Sequence, residues 1–479
     1  MGQTTRRQFL KVVALGGAST WVACGTRPGA MLEPMGALEV DGGALDAGAG
    51  GLDAGEADAG TQPVDAGVPP ESPEPWVESS NFAFGSSSGD ATSERVLIST
   101  RYDGMAPLRL LVWRMEQDVY AQLAADVAVT PGDGGFLQLE VQQLTPGARY
   151  RYAFVEGATP RQRSPIGRFR AALAPGQSEP LVFGAASCTE DGDCAPLLHA
   201  STRADLAAFM FLGDTSYNDG ANTLAEYRAK WHQSLSRNAY RKLRASTSLI
   251  CTWDDHEVTN NFNPETISDA KLVAARQAFF EALPIRRHEM APNRLWRSLR
   301  WGDAVEVFVL DTRGERKPST LLTTQEMLSL AQVLWLKQAL KDSPARVKLI
   351  MNSVPITDFG FSAFNTDGWR AYQRQRLELL RYVEDENIRG VVWVAGDHHF
   401  ASVGTISASG PGANALEVLA GPAQHTPNPL FRLLTAPRWP FATGDNNWLA
   451  LHCDPARGEV RLVFHGGTGQ VLHERTVQV

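Results

Sequence analysis

Between residues 181 and 399 of this 479-residue chain, five apolar runs each end in side chains that bind hard or borderline metal ions. LVFGAAS runs into Cys188, AAFMFLG into Asp214 with Tyr217, and LICTW into Asp254, Asp255 and His256. KLIM ends at Asn352, and VVWVAG at Asp397 with His399. Strands of an open α/β sheet deliver the loops at their carboxyl ends to one crevice, so five such endings imply a single cluster. Opening a phosphoester at paired cations needs carboxylates to hold them, an activated water and a group that stabilises the departing oxygen. The chain offers candidates for each part.

The elements that must position these residues change character near Pro180. From Asn81 to Ala171, short alternating runs (RVLIST, LRLLVWRM, FLQLEVQQL, RYRYAFVE) are broken by turn formers such as Pro131-Gly132-Asp133-Gly134 and Pro146-Gly147, which argues an antiparallel sandwich. Beyond Pro180, apolar strands alternate with helical stretches. Asp269 to Leu283 places Leu272, Ala275, Phe279 and Leu283 at helical spacing, and Trp369 to Asn387 does so with Leu377, Leu380 and Val383. Thr323 with Glu326 suggests a capping box before a helix through Leu334, Leu336 and Leu340. The closing runs LEVLA, NWLALH and EVRLVFH read as strands of a second sheet stacked on the first.

The length exceeds what one hydrophobic core usually serves, so more than one folded unit is expected. Thr4-Thr5-Arg6-Arg7-Gln8-Phe9-Leu10-Lys11 followed by the apolar stretch Val12 to Ala23 fits a twin-arginine export signal over residues 1–24, too short to span a bilayer. Export to the periplasm or cell surface is the expected route. Trp21-Val22-Ala23-Cys24 resembles a lipoprotein processing site that would leave Cys24 as a lipid anchor, although Trp21 stands where a smaller aliphatic residue is usual. Residues 25–78 are rich in Gly, Ala, Asp and Pro, with Asp-Ala-Gly recurring at Asp46, Asp53, Asp58 and Asp65, the composition of a disordered acidic tether. Eleven acids against Arg27 give that tether −10; since the chain totals −8 and residues 1–24 carry +3, residues 79–479 come to −1. A nearly neutral folded part gives no support for a nucleic-acid partner. Cys188 and Cys194 could pair in an exported protein, with metal ligation by Cys188 the preferred reading.

Ser187-Cys188, Gly213-Asp214-Thr215-Ser216-Tyr217, Trp253-Asp254-Asp255-His256-Glu257 with Asn260-Asn261, Leu310-Asp311-Thr312-Arg313 and Gly396-Asp397-His398-His399 together resemble the alkaline phosphatase D family of metallophosphatases. That family lies within the calcineurin-like metallophosphoesterase superfamily, and the resemblance runs from residue 81 to about 405. It implies an α/β fold: a four-layer αββα sandwich over residues 180–479, preceded by an all-β immunoglobulin or fibronectin III-like domain over 79–172. It also implies an exported, monomeric phosphoesterase acting on phosphate monoesters, diesters or both by metal-activated hydroxide. By the same resemblance Asp214 bridges the cations, Cys188, Tyr217 and His399 hold Fe(III), and Asp255 and Asp397 replace the usual Asn and His to favour Ca²⁺. Zn, Mn or Mg are alternative occupants. His256 would assist departure of the alcohol, and Arg313 would clamp phosphate, oriented by Asp311. Asn261 and Asn352 offer amide oxygens to the second cation. Asp254 could equally be structural, bonding backbone beneath the site, and His398 is read as pointing away to serve packing.

Rival readings are a non-catalytic envelope-associated binding protein on a degenerate scaffold, and a phospholipase D-like phosphodiesterase. Gly85-Ser86-Ser87-Ser88-Gly89 matches the G-x-S-x-G string of serine hydrolases, but that motif needs a strand turning into a helix, and the residues after it read as a turn and another strand. Substrate preference would rest with the walls, for which Thr357 to Asp367 and Ala423 to Trp439 are the candidates.

Overall fold

The computed structural model describes residues 71–157, 161–190, 192–318, 325–360 and 367–479. The export signal, Cys24, most of the tether and Thr323 lie outside the described residues.

Two sheets form the centre of the chain. One runs in parallel through Leu181–Ala186, Leu206–Phe211 and Ser248–Cys251, and is extended on one side by the antiparallel strands Asn447–Asp454, Glu459–Gly466 and Val471–Gln478. The other runs in parallel through Val305–Val309, Val347–Met351, Val391–Ala395 and Leu416–Leu419. Thus LEVL joins one sheet, whereas NWLALH and EVRLVFH join the other.

The twofold alternation of a strand decides what each face meets. In Leu206–Phe211, Ala208 and Met210 face Val307, Leu349 and Val394 of the second sheet. Phe209 and Phe211 face the opposite way, toward helices α1 (Ala195–Ser201), α2 (Leu224–Leu235), α3 (Asn238–Ser246) and α4 (Asp269–Ala282). On the far face of the second sheet, Phe308, Ile350 and Trp393 pack on α5 (Leu330–Asp342) and α6 (Gln373–Asp385). Helix α5 is capped by Ser329, whose hydroxyl accepts from Gln332 N–H, while Glu326 pairs with Lys317 through the backbone. Leu334, expected in the core, is 57% exposed.

The N-terminal strands do not form a closed sandwich of their own. Leu108–Glu116, Val119–Val129, Arg149–Glu156 and Gly167–Arg170 make one sheet. The facing strands Ser86–Gly89, Val96–Arg101 and Phe136–Val141 continue the first central sheet, because Ser88 pairs in parallel with Ser248. Ile98 and Leu137 of these strands share a core with Leu110, Tyr152 and Phe169. Tyr150 Oη accepts Thr145 N–H at 2.7 Å, the tie-back of a tyrosine corner. Ser87, the centre of the G-x-S-x-G string, lies mid-strand with its hydroxyl 2.7 Å from that of Ser99, so no nucleophile elbow forms.

Candidate metal centre

Every loop that carries a candidate ligand leaves the carboxyl end of a parallel strand. Cys188 follows Leu181–Ala186, Asp214 follows Leu206–Phe211, Asp254 and Asp255 follow Ser248–Cys251, Asn352 follows Val347–Met351, and Asp397 follows Val391–Ala395. The turns are sharp: of the ten non-glycine residues with positive φ among those described, five are Cys188, Asp214, Asn261, Asp397 and His399. Left-handed backbone at a non-glycine residue costs energy and gathers at functional sites. Gly213 precedes one such turn at φ +111°, where a Cβ would lie 2.6 Å from that of Asp254. Gly396 likewise has no room beside Ser187, so both Gly-Asp pairs are needed for the loops to close on one another.

The ligand atoms converge as three overlapping groups. Cys188, Asp214 and His399 form one, Asp214, Asp255 and His256 a second, and Asp254, Asp255 and Asp397 a third, each with its atoms within 4.8 Å. Asp214 belongs to two of them, the placement a bridging carboxylate requires. Tyr217 stacks against His256 with ring centroids 4.2 Å apart, and His399 against His425 at 3.7 Å. Asn261 donates its backbone N–H to Asp255 Oδ2 at 2.5 Å, and its side-chain amide faces Asp367.

The donor set suits cations on three counts. Tyr217 Oη and both polar atoms of the Asn352 amide are buried without a partner, which is costly unless something binds them. Burial, then the charges of Asp255 and Asp254, hold the Asp214 carboxyl well above the usual range. Burial and Asp214 push the Cys188 thiol up, and burial with Cys188 and Asp214 pushes the Tyr217 phenol up. Such groups ionise readily only against positive charge. His399, by contrast, is driven down to about 4 by burial and by His425, which keeps its imidazole neutral and able to ligate. All four cysteines among the described residues are free, so Cys188 and Cys194 are not paired.

Three expected roles, those of Arg313, Asp311 and His398, come out differently. Arg313 is fully buried; its Nε and Nη2 donate to Asp254 at 2.6 and 2.8 Å, and Nη1 and Nη2 to Asp367. With Asp255 and Asp397 also within 4.0 Å, the guanidinium is the counter-charge of an acid cluster rather than a fork turned to phosphate. Asp311 accepts from Trp253 Nε1 and from the backbone of Arg313 and Gly314, so it fixes the loop and not the guanidinium. Asp254 belongs to the acid cluster, and His398 does not simply pack: its Nδ1 lies 2.6 Å from Asp397 Oδ2.

Two residues gain roles that the sequence did not reveal. Asp219 Oδ2 lies 2.5 Å from His256 Nδ1, and its other oxygen accepts Asn260 N–H. Burial alone would lower the His256 pKa, but the Asp219 bond and the charges of Asp255 and Glu257 outweigh it and raise it to about 9. Glu257, fully buried, accepts the backbone N–H groups of Asp214, Thr215 and Asp254. It sets two metal-facing loops from beneath. Glu257→Gln would turn an amide against one of those N–H donors, so a loss of about 1–3 kcal/mol is expected. The check is chemical denaturation of the metal-free protein; an unchanged midpoint would remove that role.

The centre opens into a cavity of about 520 Å³ lined by Tyr217, His256, His399, His425, Lys230 and Arg237 among others. Comparison with known proteins gives consistent results. The family model described as PhoD-like phosphatase matches residues 183–433, and that of the PhoD-like phosphatase N-terminal domain matches 69–173. Alkaline phosphatase D of Bacillus subtilis (strain 168) is 28% identical over 388 residues, a match taking in 68% of this chain and 65% of that protein, just under two thirds of its length. A solved structure of PhoD superposes with a TM-score of 0.72 at 21% identity, covering 84% of this chain and 90% of that one. Purple acid phosphatase PPD1 from yellow lupin (Lupinus luteus) seeds follows at 0.58 and 14% identity, covering 82% and 73%.

Proposed function

The chain belongs to the PhoD-like phosphatase family, and from that premise we propose that it is a metal-dependent phosphoesterase hydrolysing phosphate monoesters, diesters or both. The observation that carries this reading is the overlap of three ligand groups, two of which share Asp214 and two Asp255, beside a histidine held by its own carboxylate. Cys188, Asp214, Tyr217 and His399 would hold an Fe(III) ion, whose tolerance of thiolate and phenolate suits them. Asp214, Asp255, Asp397 and Asn352 would hold a harder cation such as Ca²⁺. When bound, the cations supply Lewis acidity, acidifying the attacking water and offsetting charge on the phosphoryl oxygens.

The chain's own residues do the rest. Asp219 keeps His256 protonated and oriented, so that its Nε2 can give a proton to the departing alkoxide. Arg313 and Arg316, both holding Asp367, keep the acid cluster compact so that Asp254, Asp255 and Asp397 stay aimed at one point. The arginine pair, Glu257 and His398 position ligands without touching substrate. The amino-terminal strands, read as immunoglobulin-like, serve to brace the catalytic part, whose first sheet they continue. Export by the twin-arginine route, anchorage at Cys24, a monomeric state and a solvated tether complete the proposal, on the residues that suggest them.

Metal analysis of protein purified from the export compartment, with parallel assays on aryl phosphate mono- and diesters, tests this reading. Iron-replete protein is expected to be coloured, since a phenolate on Fe(III) absorbs visible light, and Tyr217→Phe to shift and weaken that absorption. Metal-replete protein that opens neither ester would favour the binding-protein alternative.

A further inference from the structure

The cavity above the centre has one wall that the hydrolytic reading does not use. Helix α2 is firmly seated: Thr223 and Glu226 form a capping box at its start, Tyr227 and Trp231 are fully buried, and Ser234 Oγ lies 2.8 Å from Ser216 Oγ, next to Tyr217. The Ser234 contact fixes which face of the helix meets the cavity. Lys230 and Gln233 flank Ser234 on that face, one turn before it and beside it, and Arg237 lies just past the helix end, at the start of α3. All four line the cavity together with Tyr217, His256 and His399.

The charges in this cavity are mostly spoken for. Asp219 is committed to His256 and to Asn260 N–H. Glu190 Oε2 lies 3.1 Å from His425 Nε2, and Arg237 donates to the Glu190 carbonyl. Lys230 differs: it is half-buried, and among the described residues it has neither a hydrogen-bond nor an ion-pair partner. A lysine that lines the cavity of a site read as a phosphoesterase, on a rigid helix rather than a loop, is placed to read charge on the part of the substrate that is not attacked.

We propose that Lys230 is a specificity-determining residue that selects phosphoesters whose alcohol portion carries a second anionic group. This rests on the phosphoesterase reading and adds a substrate class to it. Nothing in the chemistry changes; the ammonium favours one class of ester by pairing with its remote charge, and Gln233 beside it offers an amide to the same group.

The test uses the metal-replete full chain and three phenyl phosphates whose para substituent is methyl, carboxymethyl or trimethylammoniomethyl. Lys230→Met should lower kcat/KM for the carboxymethyl ester roughly five- to tenfold while leaving the methyl ester within about twofold, since the remote ion pair alone is lost. Lys230→Arg should restore most of the preference, and Lys230→Glu should invert it toward the trimethylammonium ester. Equal losses on all three esters would mean that Lys230 serves the scissile phosphate or the fold, and no change would mean that it is idle; either overturns the proposal. Melting of each variant alongside wild type separates a folding loss from a charge effect. Wild-type protein that hydrolyses none of the three would remove the phosphoesterase reading itself, a failure distinct from a lost preference.

Discussion

Asp214→Asn is expected to abolish metal retention and to lower kcat more than about a hundredfold, because groups that merely orient ligands already cost ten- to hundredfold when removed and a ligand shared by both cations would cost more. Its effect on the metal-free protein has the opposite sign. Burial and the charges of Asp255, Asp254 and Glu257 raise the folded-state pKa of this carboxyl well above its usual value. A carboxyl whose folded pKa lies above its unfolded pKa takes stability away as pH rises from the unfolded value through the folded one. At neutral pH the amide carries neither the charge nor the cost of taking up a proton to lose it, so chelator-treated Asp214→Asn should melt above chelator-treated wild type. Metal analysis, kinetics and melting together check the claim, and a lower melting point for the metal-free variant would contradict it.

His256→Ala should lower kcat about a hundredfold or more, the usual contribution of a positioned acid, with metal content within about twofold of wild type. Asp219→Asn isolates the electrostatic part. Wild-type His256 holds its proton up to about pH 9, because the Asp219 bond, together with neighbouring charges, outweighs the burial that would lower it. A proton donor is lost as pH climbs through its pKa, so deleting the Asp219 charge should move the alkaline limb of kcat/KM toward the ordinary imidazole range near 6.5. A limb that stays in place would show that another group donates.

The candidate site was legible in the sequence where chemistry and strand ends coincide, and illegible where a role depends on what a side chain touches. Cys188, Asp214 and Asp397 follow apolar runs, so strand periodicity and ligand type pointed the same way. Glu257 and Asp219 stood inside the quoted motifs or beside them, but a carboxylate that accepts three backbone N–H groups leaves no pattern in one dimension. Arg313 shows the reverse case: its type suited a phosphate clamp, and only burial among Asp254 and Asp367 reveals a counter-charge. The positive φ values of Cys188, Asp214, Asp397 and His399 have no sequence signal either, since these residues are not the glycines that such backbone favours. Helix α4 followed its apolar spacing closely, whereas α6 begins at Gln373 after a 3-10 turn over Trp369–Tyr372 and buries Leu379 and Leu380 in place of Leu377. The cap of α5 shifted to Ser329 because Glu326 is held by Lys317.

Ser88 and Ser248 share a ladder, and Asp90, wholly buried, pairs with Arg297 at 2.7 Å from across that junction. The amino-terminal module and the catalytic portion, which family models match as separate stretches, are thus welded rather than hinged. A cut between them would leave Ser248–Cys251 with a raw edge and strand the largely covered Arg297 guanidinium without its acid. For anyone trimming or recombining this protein, the smallest transplantable cassette begins before Ser86, not at Leu181.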